Sequence, residues 1–558
     1  MTRPIVSASL VLGAGLIALL VASPVQAKNR KTLIIPFIEI GQVVTADLTN
    51  NDVLTYSTVA AGISATVETR RAQVQVSYRY ERRFSYSKRI GDDDVHSGLA
   101  IASVTVAPGF TLEGGAIATR VRSDIRGAAP GNLAGNVDNI SQIYSVYAGP
   151  NFASHIGPVG VAASYRYGFT KVEAPGATGV AAGSPRLDAF DTAQSHVVNV
   201  SAGVRAGAVL PVGVNVSGAY ERGTAGQLDQ VYEGQLARVD VVLPVLPTLA
   251  LTAGAGYEKI IISQKDALTD TTGAPVIDAR GRFVTDPAAP PRIAYRTDGL
   301  IYDAGVIWRP SPRTTLQARA GRRFGGMTYS GSFSYAASKS LGVQVGVYDS
   351  VETFGRQLRN GIANLPASFI EQRDVFGQQF SGCTFGTPGA PGGALGGAPG
   401  GSAGGGSAGG CLNGVFQSIS TSAYRARGID AVIAAQRGAL SFGIGGGYAS
   451  RRFSAPGGPG AGTAFTVNGI TDESYYGQAF AAVPIDRNSG VEANVFANYY
   501  ESGIASAPGV FSTGGTAIYY RNFGRIAATA SAGIFSFSQE GTDDQVSAQG
   551  QVGVLYQF

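Results

Sequence analysis

Three histidines, two cysteines and a set of strand-borne arginines carry whatever chemistry this chain has. His96 follows Asp92-Asp93-Asp94, and an aspartate beside a histidine is the minimum needed to activate a water. A working site also needs a second partner, and none is identifiable. His155 falls in a turn at the opposite rim from His96, so it is remote from any site there. No enzyme activity and no catalytic residue is expected. The acidic run also suits a divalent cation or a cation-bridged lipopolysaccharide, but the ligand spacing of a calcium loop is absent, so no metal and no cofactor is assigned. The glycine pairs lie in strands and loops, not at a strand-to-helix turn, so no phosphate loop is read.

The arginines are more informative. By strand parity Arg79, Arg83, Arg166, Arg205, Arg319 and Arg323 fall on polar faces, opposite neighbours such as Tyr78, Tyr80, Tyr165, Tyr167, Val204, Ala318 and Ala320. A charge facing lipid at mid-depth costs about 2–4 kcal/mol, so these six are expected to line a lumen. Two readings follow. Unpaired, they make a positive field that attracts anions. Paired with acids such as Glu81, Glu113, Glu221 and Glu492, they only fill the interior. Phe496 and Tyr500 would add a stacking surface for sugar rings.

The elements that position these residues are strands. Ala72, Val74, Val76, Tyr78, Tyr80, Phe84 and Tyr86 alternate with Gln73, Gln75, Ser77, Arg79, Glu81, Arg83 and Ser85. A period of two gives one oily and one wet face. The same alternation runs through Val546, Ala548, Val552, Val554, Tyr556 and Phe558 to the last residue. Short turns recur at 68–73, 107–110, 153–158, 208–212, 244–248, 309–313, 338–341, 436–439, 486–490 and 522–525. The connections between them are mostly longer and more polar. Segregated loop lengths are the mark of an outer-membrane barrel. Ten short turns and two terminal strands predict an all-β, antiparallel, up-and-down transmembrane β-barrel of about 22 strands (range 18–22). The even count puts both ends of the barrel on the short-turn, periplasmic side, and closing the ring requires the last strand to pair with the first at 33–48. The tetrapeptide Ser77-Tyr78-Arg79-Tyr80 recurs as Ser164-Tyr165-Arg166-Tyr167, as if hairpins had been copied.

Composition agrees. Charged residues are 15%, against about 25% in soluble domains. The 44% hydrophobic content is too little for a helical membrane protein. Residues 1–27 read as a secretory signal, with Arg3 in the positive region and Val25-Gln26-Ala27 at the cleavage site. The barrel then occupies 28–558 and carries a glycine-rich insertion at about 354–417. A net charge of +5 on a secreted chain is no nucleic-acid footprint. Cys383 and Cys411 would meet an oxidising compartment, where a disulfide is the default. It would close the Gly/Ala/Pro/Ser segment 384–410 into a lasso, stabilising it by about 3–4 kcal/mol. Before it, 355–380 can make a short amphipathic helix through Leu358, Ile362, Leu365, Phe369 and Ile370. An insertion this long either stands outside or folds inward, and both remain open.

Trp308-Arg309-Pro310-Ser311-Pro312-Arg313-Thr314, Gly321-Arg322-Arg323-Phe324-Gly325-Gly326 and Ser145-Val146-Tyr147-Ala148-Gly149-Pro150 resemble the outer-membrane β-barrel porin family associated with exopolysaccharide and protein-sorting gene clusters. The resemblance implies a porin-like channel for anionic or saccharide solutes, linked to exopolysaccharide export. The alternative is a non-conducting surface scaffold or adhesin. Expected partners are outer-membrane lipid and lipopolysaccharide, the barrel-assembly machinery and polysaccharide export components, with no nucleic acid. As in other outer-membrane barrels, Val554, Tyr556 and Phe558 would form the assembly signal. An energised importer is not expected, because strands begin too early to leave room for a large N-terminal plug.

Overall fold

The computed structural model describes residues 31–86, 93–123, 140–173, 190–271, 274–278, 282–338, 340–365, 369–370, 376, 382–386, 411–416, 419–456, 467–504, 507–541 and 543–558. The signal at 1–27, Asp92 and residues 387–410 of the glycine-rich stretch lie outside the described residues.

Twenty-two antiparallel strands close into one ring. The first eight are β1 (Lys31–Asp47), β2 (Asp52–Glu68), β3 (Ala72–Ser85), β4 (Asp93–Ala107), β5 (Phe110–Arg122), β6 (Ile140–Ile156), β7 (Val159–Glu173) and β8 (Thr192–Val204). The next seven are β9 (Gly213–Ala225), β10 (Gln230–Leu246), β11 (Leu249–Gln264), β12 (Arg292–Ser311), β13 (Thr314–Arg323), β14 (Gly326–Ser338) and β15 (Leu341–Glu352). The helix α1 (Phe354–Ala363) and the two-residue strands β16 (Phe369–Ile370) and β17 (Phe385–Gly386) follow, outside the ring. The ring resumes with β18 (Ala423–Arg437), β19 (Leu440–Ser454), β20 (Thr471–Pro484), β21 (Ser489–Glu501), β22 (Val510–Phe523), β23 (Ile526–Gln539) and β24 (Gln545–Gln557). Every predicted short turn joins two ring strands at one rim, and the longer connections gather at the other.

The seam is β1 against β24, from Phe37↔Gln557 to Asp47↔Ser547. Pro36 lies just outside this ladder, so its missing N–H leaves no gap there, and its carbonyl accepts the Phe558 N–H at 3.1 Å. Tyr556 and Phe558 meet edge to face, with ring centroids 5.1 Å apart. Closure gives every ring strand a neighbour on both sides, so that the backbone at membrane depth can be paired, as lipid requires.

The outer surface is apolar in a band. Val200, Val241, Leu251, Ile433, Ile444, Val495 and Val552 are exposed in its middle. Phe152, Trp308, Tyr335, Phe523 and Phe558 rim it near the short turns, and Tyr78, Tyr165, Tyr257, Tyr302, Tyr329 and Tyr475 rim it on the loop side. Two aromatic girdles around an apolar belt on a closed antiparallel ring are the exterior of an outer-membrane barrel. This is an outer-membrane protein of the Gram-negative type.

Candidate functional site

The site is the barrel lumen and the described residues of the segment between β15 and β18, which lie inside it. Helix α1 places Phe354, Leu358 and Ile362 one turn apart on one stripe. That stripe is buried against Leu99, Ile117, Ile143, Tyr147, Val172 and Phe190 on the wall from β4 towards β8. A ten-residue helix containing Gly355 and Gly361 would not hold on its own propensity. Its glycines allow close approach instead: a Cβ at Gly355 would lie 3.0 Å from Ala193, and one at Gly361 2.9 Å from Leu412.

The opposite stripe of α1 is ionic. Arg359 donates to Glu221 Oε1 at 2.7 Å and to Ser195 Oγ at 2.6 Å. Arg356 reaches the other oxygen of Glu221 at 2.8 Å and Glu352 at 2.9 Å, with its guanidinium 4.5 Å over the Tyr232 ring. Burial works against the Arg356 charge, but Glu221 and Glu352 outweigh it and push its pKa well above the ordinary guanidinium value. Thus one carboxylate on β9 holds two helix arginines. Gln357 accepts from Tyr424 at 2.7 Å.

Other described residues of the insertion touch other walls. Phe369 exchanges hydrogen bonds with Gln75 on β3 at 2.7 and 2.9 Å. The Phe376 carbonyl accepts from Arg83 at 2.7 Å, and its ring meets Phe535 on β23 edge to face at 6.3 Å. Cys383 and Cys411 are joined. The Cys383 N–H donates to Gln478 on β20 at 2.8 Å, and the Cys411 N–H to Asp430 on β18 at 3.1 Å. The disulfide is buried with Phe385, Val432, Ala434, Ala449, Tyr476 and Phe480. Contacts with β3, β9, β18, β20 and β23 mean that the described parts of the segment reach walls on different sides of the lumen. Between α1 and the wall a cavity of about 70 Å³ remains, lined by Arg166, Glu221, Tyr232, Glu258, Arg323 and Arg356 among others. That volume suits a few waters, not a solute.

The six arginines named from the sequence divide. Arg79 bonds Glu39 and lies 2.8 Å from Glu81, and Arg83 meets Glu81 at 2.8 Å. Arg319 reaches Asp240 at 2.7 Å and Asp303 at 3.2 Å. Arg323 forks onto Glu258 at 2.9 and 3.0 Å. Arg166 has no carboxylate partner among the described residues and stands 5.2 Å over the Tyr147 ring. Arg205 is exposed in the turn after β8 rather than on the wall. Most of the neutralising acids (Glu39, Asp240, Asp303, Glu258) are not evident from sequence alone, because each comes from a different strand from its arginine. Phe496 joins Phe376 and Phe535 in one apolar cluster, and Tyr500 is buried and bonded to Asp472 at 2.6 Å, so neither forms an open sugar platform. Asp94 serves Tyr80 at 2.7 Å and Arg82 at 2.8 Å, while His96 Nδ1 faces the Tyr78 hydroxyl at 2.8 Å. They do not form a dyad.

No family model matches the chain, and no curated protein matches it. Among solved structures it is similar to the FrpB iron transporter from Neisseria meningitidis, F5-1 variant, at 10% identity over 94% of this chain and 82% of that one, TM-score 0.41. It is similar to the ferric-catecholate import receptor Fiu from E. coli K12 at 9% identity over 94% and 81%, TM-score 0.41. It is also similar to the alcaligin outer-membrane receptor FauA from Bordetella pertussis at 10% identity over 93% and 76%, TM-score 0.38. The expected porin-like channel for anionic or saccharide solutes, tied to exopolysaccharide export, is therefore corrected. The neighbours are iron transporters and receptors, not saccharide porins. The physical reason lies in the lumen, where the described parts of the insertion fold inward and contact β3, β9, β18, β20 and β23, walls that an open channel would leave free. The link to exopolysaccharide gene clusters finds no counterpart in these comparisons.

Proposed function

We propose that this chain is a gated outer-membrane transport barrel, closed at rest by its own inserted segment. A ring of 22 strands is too wide for wall side chains alone to fill. The observation that carries the reading is the seating of α1 across the lumen, with Arg356 and Arg359 sharing Glu221. Removing one partner from a buried ion pair costs about 3–5 kcal/mol, so spontaneous opening is rare. A ligand or partner opens the barrel only if it binds the open state better than the closed one.

Conductance in planar bilayers tests this. The full chain should be silent or nearly so. A variant lacking residues 354–421, with β15 joined to β18 by a short linker, should give a large, steady pore. The double variant Arg356→Ala/Arg359→Ala, which keeps the apolar stripe, should flicker between closed and open. A full chain that conducts as well as the deletion would sink the proposal.

A further inference from the structure

The outer surface carries a second feature, at the loop-side rim around β13–β14. This hairpin turns early, at 324–325. β13 pairs with β12 only from Tyr302↔Arg322 down to Ser311↔Thr314. β14 pairs with β15 only from Gly331↔Val347 down to Ser338↔Leu341. Residues 292–299 of β12 therefore rise above the hairpin tip with no ladder partner on that side, and 326–330 of β14 stand level with 348–352 of β15 without forming a ladder with them. The wall has a notch. Tyr232, Ile260, Ile262, Phe324, Val351 and Ala423, with Tyr295 against them, form a buried apolar cluster beside it.

Arginines occupy its outer side. Parity with the exposed Ile429 and Ile433 puts Arg425 and Arg427 on the lipid face of β18. Arg425 forks onto Asp349 with both bonds at 2.7 Å, and Arg427 reaches the same carboxylate at 3.2 Å. Both also donate across the gap to the Met327 carbonyl, at 2.9 and 3.1 Å. The Asp349 side chain is 3% exposed, so it fixes the two guanidinium groups instead of solvating them. Arg322, opposite both Tyr302 and Met327 in register, is exposed and has no acidic partner among the described residues.

Charge balance singles out this sector. The lipid-side positions near the rim of β11 to β20 carry Lys259, Arg296, Arg322, Arg425, Arg427 and Arg452, against Asp298, Asp349 and Glu473. Among the described residues elsewhere on the rim, the outward cations Arg82, Lys171 and Arg222 each meet an acid, Asp94, Glu173 and Glu233 respectively. The excess cations sit at or just above the tyrosine girdle, where lipid headgroups lie. Exposed Tyr302, Met327 and Tyr329 lie alongside, suited to acyl chains.

We propose that the notch seats a phosphate-bearing lipid headgroup of the outer leaflet. Arg322 and the outward arginines contact the phosphates, Asp349 preorganises Arg425 and Arg427, and the unpaired edge of β12 adds backbone donors. The probe is bisphosphorylated lipid A, added to the full chain in detergent micelles and read by native mass spectrometry. Losing charge-assisted bonds of this kind should weaken binding about tenfold or more in Arg296→Ala/Arg322→Ala/Arg452→Ala, which leaves the Asp349 cluster intact. Lipid A stripped of both phosphates should bind the native chain no better than intact lipid A binds the triple variant. Arg82→Ala/Lys171→Ala, on the other sector, should bind as the native chain does. Undiminished binding by the triple variant, or equal loss in the control, overturns the proposal. So does inorganic phosphate binding as tightly as lipid A, because the site would then read a free anion.

Discussion

Two hairpins of this barrel carry the same tetrapeptide and do different work. In β3–β4, Ser77-Tyr78-Arg79-Tyr80 faces His96; in β7–β8, Ser164-Tyr165-Arg166-Tyr167 faces His196. Their outer faces are near copies. The Tyr78 hydroxyl lies 2.8 Å from His96 Nδ1, and the Tyr165 hydroxyl 2.9 Å from His196 Nδ1. Tyr80 and Tyr167 each stack 5.2 Å from their histidine. The inner faces diverge. Arg79 is enclosed by Glu39 and Glu81, and two residues beyond Arg166, where the first hairpin has Glu81, stands Gly168. A Cβ at Gly168 would lie 2.6 Å from Arg359 Cδ. The first hairpin neutralises itself; the second is left bare, and the helix of the insertion fills the space. One motif thus serves the membrane twice and the lumen only once.

The comparison breaks most severely at Glu221. Glu221→Ala leaves Arg356 and Arg359 without their shared carboxylate and should loosen the seating of α1 by about 3–5 kcal/mol. Hydrogen exchange across Phe354–Ala363 would rise accordingly. Unchanged exchange would mean that Phe354, Leu358 and Ile362 hold the helix unaided.

A smaller effect is expected in the self-neutralised hairpin. Glu81→Gln keeps the shape but removes the charge that Arg79 and Arg83 share. Arg79 retains Glu39, and Arg83 retains the Phe376 carbonyl, so the loss should be about 2–3 kcal/mol in urea unfolding from lipid vesicles. Loss of less than half that would show the pair to be redundant.

Gly168→Glu makes the second hairpin like the first. The new carboxylate is placed to pair with Arg166 while its stem displaces Arg359, at a cost of about 1–3 kcal/mol to helix seating. Protease susceptibility of the insertion should rise; a helix that stays protected would show that the wall can yield. The smallest change is on the outer face. Tyr78→Phe and Tyr165→Phe each delete one hydroxyl–imidazole bond, worth about 1 kcal/mol. The two should match in unfolding free energy, and a clear inequality would disprove the outer equivalence.

Much of the fold was legible because its grammar is local. Each strand announces its faces through alternation, as in Val74-Gln75-Val76-Ser77-Tyr78, and all ten short turns fall where composition puts them. The helix within 355–380 was also legible, from Leu358 and Ile362, although it ends at Ala363. Its direction was not. Nothing near residue 359 signals that its partner stands 138 residues earlier in the chain.

The amino-acid order therefore determined a closed ring, its two faces and its two rims. A lipid solvent tolerates no unsatisfied backbone, and a period of two then decides which side chains it meets. The tertiary structure decided what the lumen holds. Registers between distant strands brought Glu39 to Arg79, Asp240 to Arg319 and Glu221 to α1, leaving Arg166 over the Tyr147 ring with no acid partner among the described residues. Electrostatic partnership depends on proximity in space, and in a barrel that proximity exists only once the ring has closed around the insertion.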